Sequence, residues 1–411
     1  MKTSIYNIYF SDAGNNYIFN TWHGSLISVD DNLFEQFINK GIDLISKEKI
    51  NELIKYGFLT EVDNEYETVV RENEEKFKRA AKLSVVIEPT LKCNAKCPYC
   101  FEKGVGYNDL DEGSADNIVN YIIDNSAQRQ VHITWFGGEP LVNPEIISYI
   151  CKKLRDKNVR FYSTMITNGY LLDSNIENFE RWNLKRIQIT LDDLFEKFDS
   201  IKNIAPNSFI KIIKNIHKAM RANIKVSIRV NFNSENYANY KNIIKFVFDE
   251  FKNNVNLYFH DIIGASFKTP FEVSPNPLID IYSELIKYGY IKNIKDMKIK
   301  RTFYACAINE PTYINVGPNG TVTKCEHYVG KDSMFNVGNI NDPNFNPNKN
   351  FNIYREPCKK CVCFPICGGG CMANHLIRED AGCIRIKNCV KDLLKLYIKE
   401  KNNGNINDQL C

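Results

Sequence analysis

The chain has 411 residues, 44% hydrophobic and 25% charged, which suits a globular protein of about two to four domains. It excludes a mainly disordered chain, a collagen-like fibre and a small disulfide-stapled scaffold. The charge is only +4, from 53 Lys and Arg against 49 Asp and Glu, so no strong field marks nucleic acid or a membrane surface as a partner. No apolar run approaches the ~18 residues of a membrane helix, and the start MKTSIYNIYFSDAGNN does not read as a secretion signal. Residues 1–80 read as a separate module: SIYNIYF and NYIFNTWHGSLISV alternate like strands around a turn at Asp12–Asn16. Short helices follow over DDNLFEQFIN and SKEKINELIKYGFL, capped by Asp30 or Asp31 and by Ser46, with Gly57 after the last turn. The charged stretch 61–80 suits a linker or a solvated helix. The module is winged-helix-like in outline.

From residue 83 the pattern changes. LSVVIEPT, VHITWFG, FYSTMITNG, RIQITLDD, KVSIRVNFN and NLYFHDI are strand candidates. Helical stretches lie between them, over roughly 112–127, 144–156, 172–182, 208–221 and 237–251. Strands alternating with helices predict βαβ crossovers and a parallel sheet. The expectation over 83–300 is an α/β fold, a partial (β/α)6 TIM-type barrel with its chemistry at the C-terminal strand ends. Residues 301–411 are rich in Cys, Gly, Asn and Pro, with a hairpin turning at Pro318–Asn319–Gly320 and a final amphipathic helix VKDLLKLYIKEK. Such a segment has little core of its own, so metal clusters are the expected staple.

Cysteine is the outlier. There are 14: Cys93, Cys97 and Cys100 together, Cys151 alone, and ten from Cys306 to Cys411. Without a secretion signal, such density reads as metal ligation or redox chemistry. Cys93-Asn-Ala-Lys-Cys97-Pro-Tyr-Cys100 follows the first strand. Zinc wants four ligands and no fourth is adjacent, whereas three thiolates suit a cubane iron–sulfur cluster with one iron open. Trp135-Phe136-Gly137-Gly138-Glu139-Pro140 closes the second strand. Its glycines admit close approach of a ligand, and Glu139 offers a carboxylate to an ammonium group.

CxxxCxxC followed by GGEP resembles the radical S-adenosylmethionine (SAM) enzymes, over about residues 83–390. The resemblance implies that Cys93, Cys97 and Cys100 hold a 4Fe–4S cluster whose fourth iron is chelated by SAM. It implies that Gly137, Gly138 and Glu139 take the SAM amine, and that Tyr99 and Phe101 line the adenine. Thr167-Asn168-Gly169, Thr190 with Asp192, and Arg229 with Asn231 close the next strands and suit a ribose and a carboxylate. Asp193 stands where relatives often carry Gly.

Further on come Cys306, Gly320, Cys325, Cys358-x2-Cys361-x5-Cys367-x3-Cys371, Cys383 and Cys389. This order resembles the SPASM extension of radical SAM peptide-modifying enzymes. The resemblance implies two auxiliary 4Fe–4S clusters, one on Cys306, Cys325 and Cys371, the other on Cys358, Cys361 and Cys367 with Cys383, before the last helix in a Cys-x3-Lys pattern, as last ligand and Cys389 as the alternative. Thr312 occupies the position from which some relatives supply a further ligand, which leaves that iron open or filled by Cys363. Cys151 reads as core and Cys411 as a tail thiol.

The family chemistry is reductive SAM cleavage to a 5′-deoxyadenosyl radical that takes hydrogen from a substrate carbon. SPASM relatives act mostly on peptides, and many peptide maturases carry a leader-binding module where residues 1–80 stand. The first expectation is therefore a cytoplasmic maturase that makes a thioether crosslink from Cys in a ribosomally made precursor peptide, with a flavodoxin or ferredoxin as electron donor. The second is an anaerobic sulfatase-maturing, formylglycine-forming enzyme, which would use a carboxylate base such as Asp261. The third is a non-catalytic iron–sulfur protein, in which Gly137–Glu139 would have no role.

Overall fold

The computed structural model describes residues 1–39, 45–78, 82–106, 108–126, 130–262, 276–303, 306–331, 333–347, 351, 355–377, 383 and 386–406. The chain opens with β1 (Lys2–Thr3), and β2 (Asn7–Asp12), β3 (Asn15–Asn20) and β4 (Ser25–Val29) then form an antiparallel meander. The expected second strand is thus two strands with a turn at 21–24, where Gly24 sits at φ +76°. Next come α1 (Asp31–Ile38) and α2 (Lys47–Lys55). Asp30 and Ser46 cap them by accepting the N–H groups of Leu33 and Lys49. β5 (Leu59–Thr60) returns to pair with β1, and α3 (Glu65–Lys78) follows. Ile18, Leu33, Phe37, Leu53, Phe58 and Leu59 form the core of this segment.

The middle of the chain runs β6 (Lys82–Ile87), α4 (Glu112–Asn125), β7 (Gln130–Trp135), α5 (Pro144–Asp156), β8 (Phe161–Thr167), β9 (Leu184–Thr190), α6 (Phe195–Lys202), α7 (Ser208–Arg221), β10 (Lys225–Phe232), α8 (Tyr240–Phe251) and β11 (Val255–Asp261). After α9 (Pro277–Lys287) come β12 (Tyr313–Val316), β13 (Thr321–Thr323) and β14 (Asn336–Asn339). The last helices are α10 (Glu356–Lys359), α11 (Phe364–Cys367), α12 (Met372–Ile377) and α13 (Ile386–Asn402). Among the described residues one sheet has the order β11-β10-β9-β8-β7-β6-β12-β13-β14. Strands β6 to β11 pair in parallel in chain order. The hairpin β12–β13 turns where expected, with Gly320 at φ +77°, and β12 joins the same sheet parallel to β6.

Two sequence expectations change. Residues 172–182 are not a helix but the 3₁₀ turns Leu172–Ser174 and Ile176–Asn178. Asn175 donates its amide to the Leu171 carbonyl, the local competition that makes Asn, Asp and Ser poor helix interiors. Conversely, α6 was not expected. Phe198 is buried against Phe209 of α7, with ring centroids 5.5 Å apart.

The chain divides into two compact units. One comprises Met1–Arg79, Asn276–Ala307 and Phe351–Cys411, the other Ala80–Pro275 and Ile308–Asn350. In the first unit α13 packs on α9. In the second, one sheet face buries Ile133, Trp135, Met165, Ile187, Ile189 and Ile228, while His132, Thr134, Thr164, Gln188, Arg229 and Asn231 alternate on the other. Parallel strands covered by helices on both faces would read as continuous apolar runs. This alternation marks a polar inner face.

Candidate functional site

The loop after β6 carries Cys93, Cys97 and Cys100 and is pinned at several points. The Gly138 N–H donates to the Thr90 carbonyl (3.1 Å) and the Glu139 N–H to the Lys92 carbonyl (2.9 Å). Asn168 Nδ2 donates to Asn94 Oδ1 (2.6 Å), and the Lys96 N–H donates to the Lys202 carbonyl (2.8 Å) at the end of α6. The glycines are there for proximity. A Cβ on Gly137, at φ +104°, would lie 2.5 Å from the Thr90 oxygen, and one on Gly138 2.4 Å from the Lys92 oxygen. The Gly-Gly turn and the cysteine loop therefore lie against each other, backbone to backbone.

Glu139 is fully buried. Its Oε1 accepts from Thr167 Oγ1 (2.8 Å) and the Leu141 N–H (3.1 Å), and its Oε2 from the Asn168 N–H (2.8 Å). A carboxylate accepts about four hydrogen bonds, so one position at Oε2 is open to an ammonium group. Burial pushes its carboxyl up to about 7, against the pull of Asn168 and Thr167. A folded-state value above the unfolded one means that the folded chain binds the extra proton. Without SAM, stability should then fall by roughly 2–3 kcal/mol as pH rises from about 5 to 7. Glu139→Gln should flatten that part of the profile, as read by denaturant unfolding at a series of pH values. An unchanged slope would refute the assignment.

The third strand end thus converges on Glu139 through Thr167 and Asn168. The fourth and fifth converge elsewhere. Asp192, almost fully buried, accepts from Lys202 Nζ (2.8 Å), from the Tyr99 hydroxyl and from the Asn231 N–H (3.1 Å). Lys202 Nζ also donates to the Tyr99 hydroxyl (2.8 Å). Burial works against the Lys202 ammonium, but Asp192 and Tyr99 more than offset it and hold its pKa above the usual lysine range. Burial likewise pushes the Tyr99 phenol up, with Lys202 opposing. Tyr99, expected as an adenine wall, therefore has its hydroxyl tied into this buried pair. Phe101 stacks on His327 at 4.2 Å between centroids, with Phe136 at 6.2 Å. Its carbonyl accepts from Lys331 Nζ (2.6 Å). Arg229, on the inner face opposite Thr190, donates from Nε to Asn231 Oδ1 (2.8 Å). Asp193 accepts from its own Leu194 N–H and from Asn239. Asp261 ends β11, and its side chain lies outside the described residues.

Lys202, Asn94 and Glu88 were missed. Lys202 lies three strands further along the chain than the loop it grips, and only the fold brings them together. Glu88 had a signal, a lone acid in the apolar run SVVIEP. It is fully buried, accepts from Asn315 Nδ2 (3.1 Å), and burial beside Glu102 raises its pKa.

The donor set fits an iron–sulfur cluster. Three thiols share one loop at the C-terminal edge of parallel strands, and the Ala95 N–H points at Cys93 Sγ (3.4 Å). Burial pushes the Cys100 thiol above its usual value, while Cys93 stands on the exposed side of the loop. Bound iron would supply the positive charge that thiolates in such a place need.

In the other unit, Cys358, Cys361, Cys363 and Cys367 lie on α10, α11 and the turn between them. A hydrogen bond from Cys363 is the main cause that pulls the Cys361 thiol down to about 6. Cys383 lies near Cys358, and Lys387 Nζ reaches Cys383 Sγ at 3.7 Å. Cys389 is instead buried in α13, close to Tyr282 of α9. Cys306 and Cys371 belong to this unit as well, and Cys325 to the other. The Thr312 hydroxyl donates to Glu310. Cys151 is fully buried in α5, and Cys411 lies outside the described residues. Among the described residues no helix is long and apolar enough to cross a membrane.

Residues 87–247 match the model of the Radical SAM superfamily. The chain is 24% identical over 358 residues to a cysteine-type anaerobic sulfatase-maturating enzyme of Clostridium perfringens, covering 73% of this chain and 91% of that protein. It is 28% identical over 306 residues to a GTP 3′,8-cyclase of the same species, covering 66% and 90%. Its fold is similar to native anSMEcpe with bound AdoMet (TM-score 0.62, 19% identity, 78% of this chain and 98% of that one). It is also similar to Streptococcus suis SuiB bound to S-adenosylmethionine (TM-score 0.50, 17% identity, 95% and 100%). The fold and site define a radical SAM domain. Residues 87–247 form that domain, whose characteristic cofactors are SAM and a 4Fe–4S centre, and a Cys-rich C-terminal region follows it.

Proposed function

We propose that the chain modifies a ribosomally made peptide and forms a thioether crosslink from a substrate Cys. The observation that carries this reading is the N-terminal segment. It is a three-stranded meander with its own core and helices, added to a radical SAM domain that does not need it for its sheet. The outer strands of that meander offer edges to which a leader peptide adds a strand. The anSMEcpe fold leaves about a fifth of this chain unmatched, whereas the SuiB fold spans nearly all of it.

When bound, the SAM cluster supplies the electron and the radical. The chain's own residues do the rest. Cys93, Cys97 and Cys100 hold the cluster; Glu139 receives the SAM ammonium. Gly137 and Gly138 let the turn lie close, and Thr190 and Arg229 line the inner face below. In the C-terminal region Cys358, Cys361, Cys367 and Cys383 hold one auxiliary cluster; the placement of Cys383 beside Cys358 and of Cys389 beside Tyr282 supports that choice. The SPASM resemblance assigns Cys306, Cys325 and Cys371 to the other. Localisation in the cytoplasm and a flavodoxin or ferredoxin donor complete the proposal.

Formylglycine formation is the second reading, favoured by the sulfatase-maturating relative. The two separate by mass. A thioether crosslink removes two hydrogens and keeps the sulfur in the peptide, whereas formylglycine formation expels it. The reconstituted enzyme, with SAM, dithionite and a Cys-containing precursor peptide, should yield a product that keeps its sulfur. Sulfide release with loss of the Cys sulfur would sink the first reading.

A further inference from the structure

Tyr6 stands between β1 and β2 and is fully buried. Its ring packs with Tyr66, Val69 and Phe364, and Cys358 and Cys361 pack against the same cluster. Its backbone is fixed on both sides: its N–H donates to Ser4 Oγ (3.2 Å), and its carbonyl accepts the Thr21 N–H (3.0 Å). Thr21 Oγ1 in turn donates to the Val362 carbonyl, between Cys361 and Cys363, at 2.5 Å. Arg301 donates to Asn73 Oδ1 (2.7 Å) and to the Pro365 carbonyl (3.2 Å), which joins α3 to the same cysteine segment. The first residues of the chain are thus clamped onto the turn that carries Cys358, Cys361 and Cys363. Yet the Tyr6 hydroxyl, buried in this clamp, has no hydrogen-bond partner among the described residues. The neighbouring indole does not share that condition, since Trp22 Nε1 donates to Glu72 (3.0 Å).

A buried hydroxyl without a partner is rare and calls for an explanation. Of the groups around Tyr6, the acceptor that a cluster would add is sulfur. We infer that Tyr6 donates its phenolic hydrogen to a sulfur of the centre held by Cys358, Cys361, Cys367 and Cys383, so that the N-terminal segment helps to set that centre's reduction potential. The inference rests on the auxiliary-cluster reading proposed above. Hydrogen bonds to sulfur are among the levers on cluster potential, and a donor favours the more negative, reduced form. Tyr6 is then a positioning and tuning residue. The leader-binding segment and the auxiliary centre become one mechanical piece.

The test uses the full chain with Cys93, Cys97 and Cys100 replaced by Ala, so that only auxiliary clusters remain. Tyr6→Phe keeps the ring and removes the donor; Tyr9→Phe, in β2, is the control. Iron and sulfide are counted, and potentials are measured by titration with EPR detection. The expected result is unchanged iron in both variants. One auxiliary potential should move in Tyr6→Phe alone, downward, by up to about tenfold in the reduction equilibrium, or ~59 mV for one electron. A shift below about twofold with full iron would overturn the inference, and so would an equal shift in Tyr9→Phe. If the parent chain holds no auxiliary iron, the cluster reading itself fails and takes the inference with it.

Discussion

Replacing Cys93, Cys97 and Cys100 together with Ala should lower iron from about twelve to about eight per chain after anaerobic reconstitution and abolish SAM cleavage. The three thiols are the sole cysteines on the loop that the Gly-Gly turn, Asn168 and Lys202 fix at the strand ends. Their loss leaves the open iron without a home, so the effect on cleavage is all or none rather than graded. The other cysteines cannot substitute, since Cys151, the next along the chain, is buried in α5. The count also tests the C-terminal proposal: about four irons falling to none would mean that the cysteines from Cys306 onward hold no iron, and the auxiliary clusters would be withdrawn. Retention of about eight with full loss of cleavage supports both halves.

Much of this was legible in the sequence because the radical SAM core is built from local signals. Six apolar runs separated by helical periods became six parallel strands in chain order. The two glycines before Glu139 announced a close approach, and the neighbour turned out to be the cysteine loop itself. What was not legible depends on elements that meet only in space. Lys202 lies at the end of a helix in a charged stretch, where any lysine reads as solvated. The residue is nonetheless only 4% exposed, because α6 delivers it to Asp192 and Tyr99. The preference for Cys383 over Cys389 was drawn from the Cys-x3-Lys spacing before the last helix, and the surroundings of the two thiols support it. Cys389 takes the face of α13 that turns to α9, while Cys383 stands before the helix begins. The polar inner face was written in the alternation of VHITW and SIRVN.

Lys202→Met should cost about 3–5 kcal/mol of stability in the metal-free chain, because it removes one partner of a buried ion pair and strands the other. Asp192 is 1% exposed on its side chain and Lys202 4%, so water cannot take over. The remaining contacts of Asp192, the Asn231 N–H and the Tyr99 hydroxyl, do not carry a positive charge. The second substitution decides the mechanism. Lys202→Met with Asp192→Asn removes the stranded charge while leaving an amide oxygen for the Asn231 N–H, and should recover at least half of the loss. Urea unfolding followed by tryptophan fluorescence in a Trp22→Phe background would report the central unit, where Trp135 and Trp182 are fully buried. A single-variant loss below about 1 kcal/mol would mean that the pair behaves as a solvated one, and the anchoring of the cysteine loop would then rest on its backbone contacts with Gly138, Glu139 and Lys202 and on the Asn168–Asn94 hydrogen bond. Additive losses in the double variant would instead show that Asp192 acts through Asn231 and not through its charge.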